Sequence, residues 1–153
     1  MKKLFQGMVR KVHAMPDSKT RKRILRLAMH LLPEFPSTYG PILRSDPADW
    51  TNTACLLGLY GDELADLIGE MPADGIFLDI GANCGLFSLL AAKRLTEGRV
   101  YAFEPSPTMF GKLVENLALN EVANVIPFNF GMAAQSALLS ATLDPSHTGT
   151  GHI

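Results

Sequence analysis

The stretch Ile76-Phe-Leu-Asp-Ile-Gly-Ala-Asn-Cys-Gly85, followed after one helical segment by Val100-Tyr-Ala-Phe-Glu-Pro-Ser106, decides the fold. Ile76–Ile80 is a short apolar run between turn residues, the pattern of a strand buried on both faces of a parallel sheet. Residues 86–95 carry a helical pattern, and Gly98 stands just beyond, where a left-handed cap is expected. Residues 99–103 read as a second strand. Ser106-Pro107 then starts a helix, with a hydroxyl for the cap and a ring already set at helical φ. Phe110, Leu113, Val114 and Leu117 give that helix one core face. Residues 124–130 form a third strand interrupted by Pro127, which cannot donate to a ladder and so belongs at a sheet edge.

Right-handed crossovers turn this β-α-β-α-β run into a parallel sheet of order 3-2-1, with the Pro127 strand at the edge. Residues 137–143 could add one more short strand. On the N-terminal side, Ser18 caps a helix reaching Leu32, with Ile24, Leu27, Ala28 and Leu31 at the spacing of one apolar face. Residues 33–49 contain Pro33, Pro36, Pro41 and Pro47 and read as a connector. Asp62 to about Glu70 is a further helix. Its face is Leu64, Leu67, Ile68 and Met71, acids crowd its first turn, and Pro72 closes it.

The 153 residues suit one domain with a small appendage, and 47% apolar against 19% charged composition is that of a globular protein with a core. No apolar run approaches the roughly 18 residues of a membrane span, and the N-terminus lacks a signal-peptide core. Cys55 and Cys84 form no CxxC pair, which fits two reduced thiols and a cytoplasmic setting. The net charge of −1 conceals an asymmetry, for nine of the 14 Lys and Arg residues lie in positions 1–26. This basic arm is either the solvated face of a helix lying on an acidic body or a contact for an anionic membrane surface, a nucleic acid or an acidic partner. It lacks the interleaved aromatics of single-stranded nucleic-acid binders, so no nucleic acid is expected.

Between a buried strand and a helix, Gly81 and Gly85 let the main chain bend sharply and let a ligand approach it. The helix start behind them offers free N–H groups to an anion. A dinucleotide fingerprint GxGxxG needs glycine where Asn83 stands, which disfavours a pyrophosphate and an NAD-dependent oxidoreductase. A compact amino-acid ligand tolerates Asn83 better. Glu104, ending the second strand, can accept hydrogen bonds from both hydroxyls of a ribose. Asp79 is the odd residue of its apolar strand and needs polar partners there. Without a ligand, the same residues would make a Rossmann-like scaffold whose glycines serve packing alone.

Asp79-Ile-Gly-Ala-Asn-Cys-Gly-Leu-Phe-Ser88, Gly98-Arg-Val-Tyr-Ala-Phe-Glu-Pro-Ser106 and Glu115-Asn-Leu-Ala-Leu-Asn120 together resemble the FkbM family of S-adenosylmethionine-dependent methyltransferases. The resemblance runs from about Trp50 to Phe130, with a weaker echo to residue 153. It implies an α/β, Rossmann-like class I methyltransferase fold with an incomplete parallel sheet, preceded by N-terminal helices. Residues 1–49 would be a basic helical segment and Pro-rich connector, and 50–153 a partial S-adenosylmethionine-binding domain. The implied activity is O-methylation of a small-molecule or glycan hydroxyl.

On the matching positions, Gly81, Ala82, Asn83 and Gly85 would line the methionine part of the cofactor, and Asp79 would order the loop. Glu104 would hold the ribose, with Pro105 and Ser106 near the adenine. Where many methyltransferases place an acid after the third strand, this chain has Asn129-Phe130-Gly131. The family's fold continues with a fourth strand beside the first, so the chain reads as the truncated, cofactor-binding half of an enzyme. Its first strand would then be an open edge, prone to self-association. The alternative is a non-catalytic interaction module that uses that edge and the basic arm. No catalytic residue and no metal site is assigned. His13, His30, His147 and His152 read as ordinary surface or tail histidines.

Overall fold

The computed structural model describes residues 2–16, 18–59, 61–135 and 144–150. Helices α1 (Lys2–His13) and α2 (Lys19–Leu31) lead into a hairpin of β1 (Glu34–Pro36) and β2 (Ile42–Arg44). Then come α3 (Trp50–Leu57), α4 (Asp62–Glu70), β3 (Ile76–Ile80), α5 (Leu86–Arg94), β4 (Arg99–Phe103), α6 (Pro107–Leu119) and β5 (Val125–Phe128). A single 3-10 turn, Thr148–Thr150, closes the described chain. No helix among these residues is long and apolar enough to cross a membrane. The strand proposed at residues 137–143 lies outside the described residues.

Strands β3, β4 and β5 form a parallel sheet in the order β3-β4-β5, so the expected 3-2-1 arrangement holds and Pro127 lies in an edge strand. The fold is a Rossmann-like α/β sandwich with an incomplete sheet. One face of the sheet packs on the core, with Val100 and Ala102 of β4 fully buried. The other face is open: Ile76, Leu78 and Ile80 are 64%, 57% and 61% exposed. The expectation that β3 is buried on both faces therefore fails. The apolar run marks a two-sided strand, but among the described residues nothing covers its second side.

A second departure concerns the connector. Residues 34–44 form a hairpin rather than loose chain, with Ser37 N–H donating to the Pro41 carbonyl at 2.8 Å and Gly40 at φ +104° turning the tip. Pro36 and Pro41 flank the turn of a two-stranded ribbon of three-residue strands. Phe35 and Leu43 bury completely, each stabilising by about 2 kcal/mol. Helix α3 was not legible either, because Thr51, Asn52 and Thr53, polar residues, are buried in it.

Three helix faces are corrected. In α2 the buried residues are Leu25 and Met29, whereas Ile24, Leu27 and Leu31 are exposed. The helix docks through a face rotated from its most apolar stripe, placing Val9 of α1, Leu25 and Met29 in the core beside Phe35 and Leu43. In α4, Ile68 packs with Ala91, Ala92 and Leu95, but Leu67 faces out. In α6, Val114 is exposed while Leu113 and Leu117 are buried. Ser18 and Ser106 cap as expected, accepting from the amides of Arg21 and Met109. Gly98 is required for a different reason than a left-handed cap: a Cβ there would stand 2.0 Å from the Gly75 carbonyl oxygen.

The described charges of the basic arm lie mainly on the outer side of α1 and α2, with Lys11, Lys19, Lys22, Arg23 and Arg26 exposed. His13 is no plain surface residue. Its Nε2 contacts the Pro36 carbonyl at 3.0 Å and its Nδ1 the Thr38 hydroxyl at 3.0 Å, tying α1 to the hairpin.

Candidate cofactor site

The turn between β3 and α5 is built by backbone conformation first. Gly81 and Gly85 sit at φ +80° and +87°, and Asn83 at φ +51°. Left-handed φ suits glycine and is tolerated by asparagine. A Cβ on Gly85 would collide with Leu113 Cδ1 at 2.5 Å, so this glycine also lets α6 close on the turn. A Cβ on Gly81 would meet nothing within 4 Å, which leaves open space over the bend. The amides of Gly81 and Ala82 both donate to the Phe103 carbonyl, at 2.9 and 3.0 Å, and so anchor the turn to the end of β4.

Glu104 follows directly. It is only 6% exposed, and its Oε2 accepts from the Asn83 amide while its Oε1 accepts from the Ser106 amide, each at 2.8 Å. One carboxylate thus ties the glycine turn to the start of α6, and each of its oxygens keeps a second lone pair for a ligand hydroxyl. Asn129 donates to the carbonyls of Glu104 and Pro105, so the position after β5 braces the main chain around the carboxylate.

Asp79 is half-buried and accepts a hydrogen bond from the fully buried Ser88 hydroxyl of α5. Burial pushes its carboxyl above the usual range, and the Ser88 bonds only partly offset this. Of the remaining expected site residues, Ala82 points its methyl into the core, so only its main chain is available to a ligand. Pro105 is exposed, and the Ser106 hydroxyl is committed to capping α6. Asp79, Gly81, Ala82, Asn83, Gly85, Glu104, Pro105 and Ser106 all gather at the C-terminal ends of β3 and β4.

Several contacts supporting this site were assigned to no residue from the sequence, although Asn116 and Asn120 lie in the quoted motif Glu115–Asn120. Asn116 of α6, fully buried, donates to the Cys84 carbonyl in the turn and accepts from the Arg44 amide of the hairpin, both at 2.8 Å. Asn120 pairs with both main-chain groups of Ile42. The Asn83 side chain accepts from the Cys84 amide and donates to the Thr148 hydroxyl at 3.3 Å. Thr148 donates in turn to Asp49, the fully buried N-cap of α3. The signal for Asn116 and Asn120 was their four-residue spacing on one helix face. Nothing local announces Asp49 and Thr148. Cys84 lies against Cys55, and that contact together with burial raises its thiol well above the ordinary range. Among the described residues no group of three or more His, Cys, Asp or Glu is arranged to hold a metal ion.

The methyltransferase FkbM domain matches residues 79–153. Methyltransferase sdnD of Sordaria araneosa is 34% identical over 92 residues, covering 60% of this chain and 35% of the relative. Hexuronic acid methyltransferase AglP of Haloferax volcanii is 31% identical over 84 residues, covering 55% of this chain and 34% of the relative. The chain therefore spans about a third of the length of these curated relatives. Among solved structures, M. jannaschii TYW2 in complex with AdoMet aligns with a TM-score of 0.48 at 27% identity, over 62% of this chain and 42% of that one. The turn 81–85, Glu104 at the end of the neighbouring strand and the Asn116–Asn120 pair all fall inside the matched residues. Residues 79–153, just under half of the chain, thus carry the sequence of a methyltransferase FkbM domain.

Proposed function

We propose that the turn 81–85 and Glu104 bind S-adenosylmethionine, and that the protein methylates a hydroxyl of a small molecule or glycan. The observation that carries this reading is the Glu104 carboxylate, held at 2.8 Å from the Asn83 amide beneath a bend whose Gly81 leaves free space. The residues fit the cofactor: a ribose can use the second lone pairs of Glu104, and a compact amino-acid group fits over Gly81. Asp79, Gly81, Ala82, Asn83 and Gly85 would line the methionine part, mostly through main chain. Pro105 and Ser106 would flank the adenine, with Asn129 bracing them. When bound, the cofactor supplies a methyl group on a sulfonium, so the protein has chiefly to bind and orient the acceptor.

A sugar-type acceptor accords with a relative named as a methyltransferase of hexuronic acid. Isothermal titration of the 153-residue chain with S-adenosylhomocysteine tests the cofactor half of the reading. Saturable heat is expected, lost in Glu104→Ala at unchanged circular dichroism. Heat equal to buffer dilution for the wild type would reject it.

A further inference from the structure

Helix α2 turns two stripes outward, each on the spacing of four, three and four residues that returns to one side of a helix. Thr20, Ile24, Leu27 and Leu31 make the apolar stripe. Lys19, Arg23, Arg26 and His30 make a basic stripe one residue out of step, about 100° round the helix and so beside the first. All of them are exposed, with Ile24, Leu27 and Leu31 at 42%, 63% and 72%. The helix is held to the core by its other side, through Leu25 and Met29.

Among the described residues, no ion pair or hydrogen bond engages the side chains of Lys19, Arg23 or Arg26, and α2 contains no acid. Three large aliphatic side chains therefore stand in water beside three cations that nothing neutralises. Trp50, 44% exposed, adds an indole on the basic side, where it shares a shallow hollow with Arg26 and His30. Indoles favour the boundary between lipid headgroups and acyl chains.

We infer that α2 is a peripheral membrane contact, a helix that lies along an anionic lipid surface. Ile24, Leu27 and Leu31 enter the acyl boundary, Lys19, Arg23 and Arg26 meet the anionic headgroups, and Trp50 rests at headgroup level. A nucleic acid satisfies the cations but leaves the aliphatic stripe in water. A second copy of the helix sets cation against cation. The lipid surface matches both stripes. This contact stands apart from the glycine turn and does not rest on the cofactor reading, so its test needs no cofactor.

Flotation of the full chain with vesicles separates lipid-bound protein from self-associated protein. Phosphatidylcholine vesicles with about 30% phosphatidylserine should carry the chain upward, and phosphatidylcholine alone should bind it at least tenfold more weakly. Emission of Trp50, the sole tryptophan, should shift to the blue on the anionic vesicles. Leu27→Gln/Leu31→Gln, at unchanged circular dichroism, should lower binding at least tenfold with no change in charge. Arg23→Gln/Arg26→Gln should abolish the preference for phosphatidylserine. Absence of flotation with anionic vesicles overturns the proposal, as does equal binding to the two kinds of vesicle. Binding kept by the double-leucine variant but lost in Leu78→Gln puts the lipid on the bare face of β3 and overturns the assignment to α2. Vesicles left unbound, with a DNA duplex held equally by wild type and double-leucine variant, replace the lipid by a soluble polyanion.

Discussion

Asp49 and Thr148, 99 residues apart, are joined by two hydrogen bonds: the Thr148 hydroxyl donates to Oδ2 at 2.8 Å and its amide to Oδ1 at 3.2 Å. Asp49 also accepts from the Thr51 amide at the head of α3, and the Thr148 hydroxyl accepts from Asn83 of the glycine turn. A fully buried carboxylate is tolerable only with such partners. Thr148→Val should cost about 1–2 kcal/mol, since it strands Oδ2 and frees the Asn83 amide group. It should also weaken S-adenosylhomocysteine binding several-fold. Urea denaturation and calorimetry read the two effects, and Thr148→Ser should restore both. Unaltered affinity in a destabilised Thr148→Val protein would confine the threonine to a structural role.

The two turn glycines should separate folding from binding. Gly81→Ala meets no neighbour and pays only for its φ, about 1–2 kcal/mol, yet fills the space over the bend. The expected protein is folded and binds S-adenosylhomocysteine at least tenfold more weakly. Gly85→Ala drives a methyl into Leu113 and should lose more stability than Gly81→Ala. Thermal unfolding of both variants beside a binding titration gives the ordering. Equal affinity of Gly81→Ala and wild type would move the ligand away from the bend.

His13 gives the fold a pH dependence. Burial holds its imidazole below the ordinary 6.5, Arg21 adds to the lowering, and the bond with the Pro36 carbonyl opposes both. The unfolded chain therefore takes up the proton first as pH falls, and stability drops on acidification below about 6.5. Urea midpoints at pH 7.5 and 5.5 should show a larger loss for the wild type than for His13→Gln. Parallel losses in the two proteins would discard the assignment.

The outer edge of β3 pairs with no other strand among the described residues, and Ile76, Leu78 and Ile80 lie bare beside it. Such an edge templates association. Sedimentation velocity should show apparent mass rising with concentration, and Leu78→Lys should hold the protein monomeric at little cost in stability. A wild type that stays monomeric at high concentration would count against this.

What the sequence disclosed divides along physical lines. Strand, turn, helix and second strand from Ile76 to Ser106 were legible because each local signal agreed with the next: apolar run, glycines, cap, proline. The edge position of Pro127 followed from one missing N–H. The hairpin at Glu34–Arg44 was hidden because its three-residue strands are too short to show a period and its prolines resembled loop. Helix α3 was hidden because its buried Thr51, Asn52 and Thr53 read as surface. Asp49 and Thr148 form a pair only after the chain has folded, so no local pattern could reveal it. Glu104 stood out in the sequence as a carboxylate ending a strand beside the glycine turn, but its hold on the Asn83 and Ser106 amides needed coordinates.

Asn116 couples two events that the chain lays far apart. Its amide spans the Arg44 N–H of the hairpin and the Cys84 carbonyl of the turn, so neither can open without orphaning a buried group on the other. Hydrogen exchange should then find both segments opening as one cooperative unit. A loop poised for a ligand would, through this strut, inherit its rigidity from a ribbon formed early in the chain.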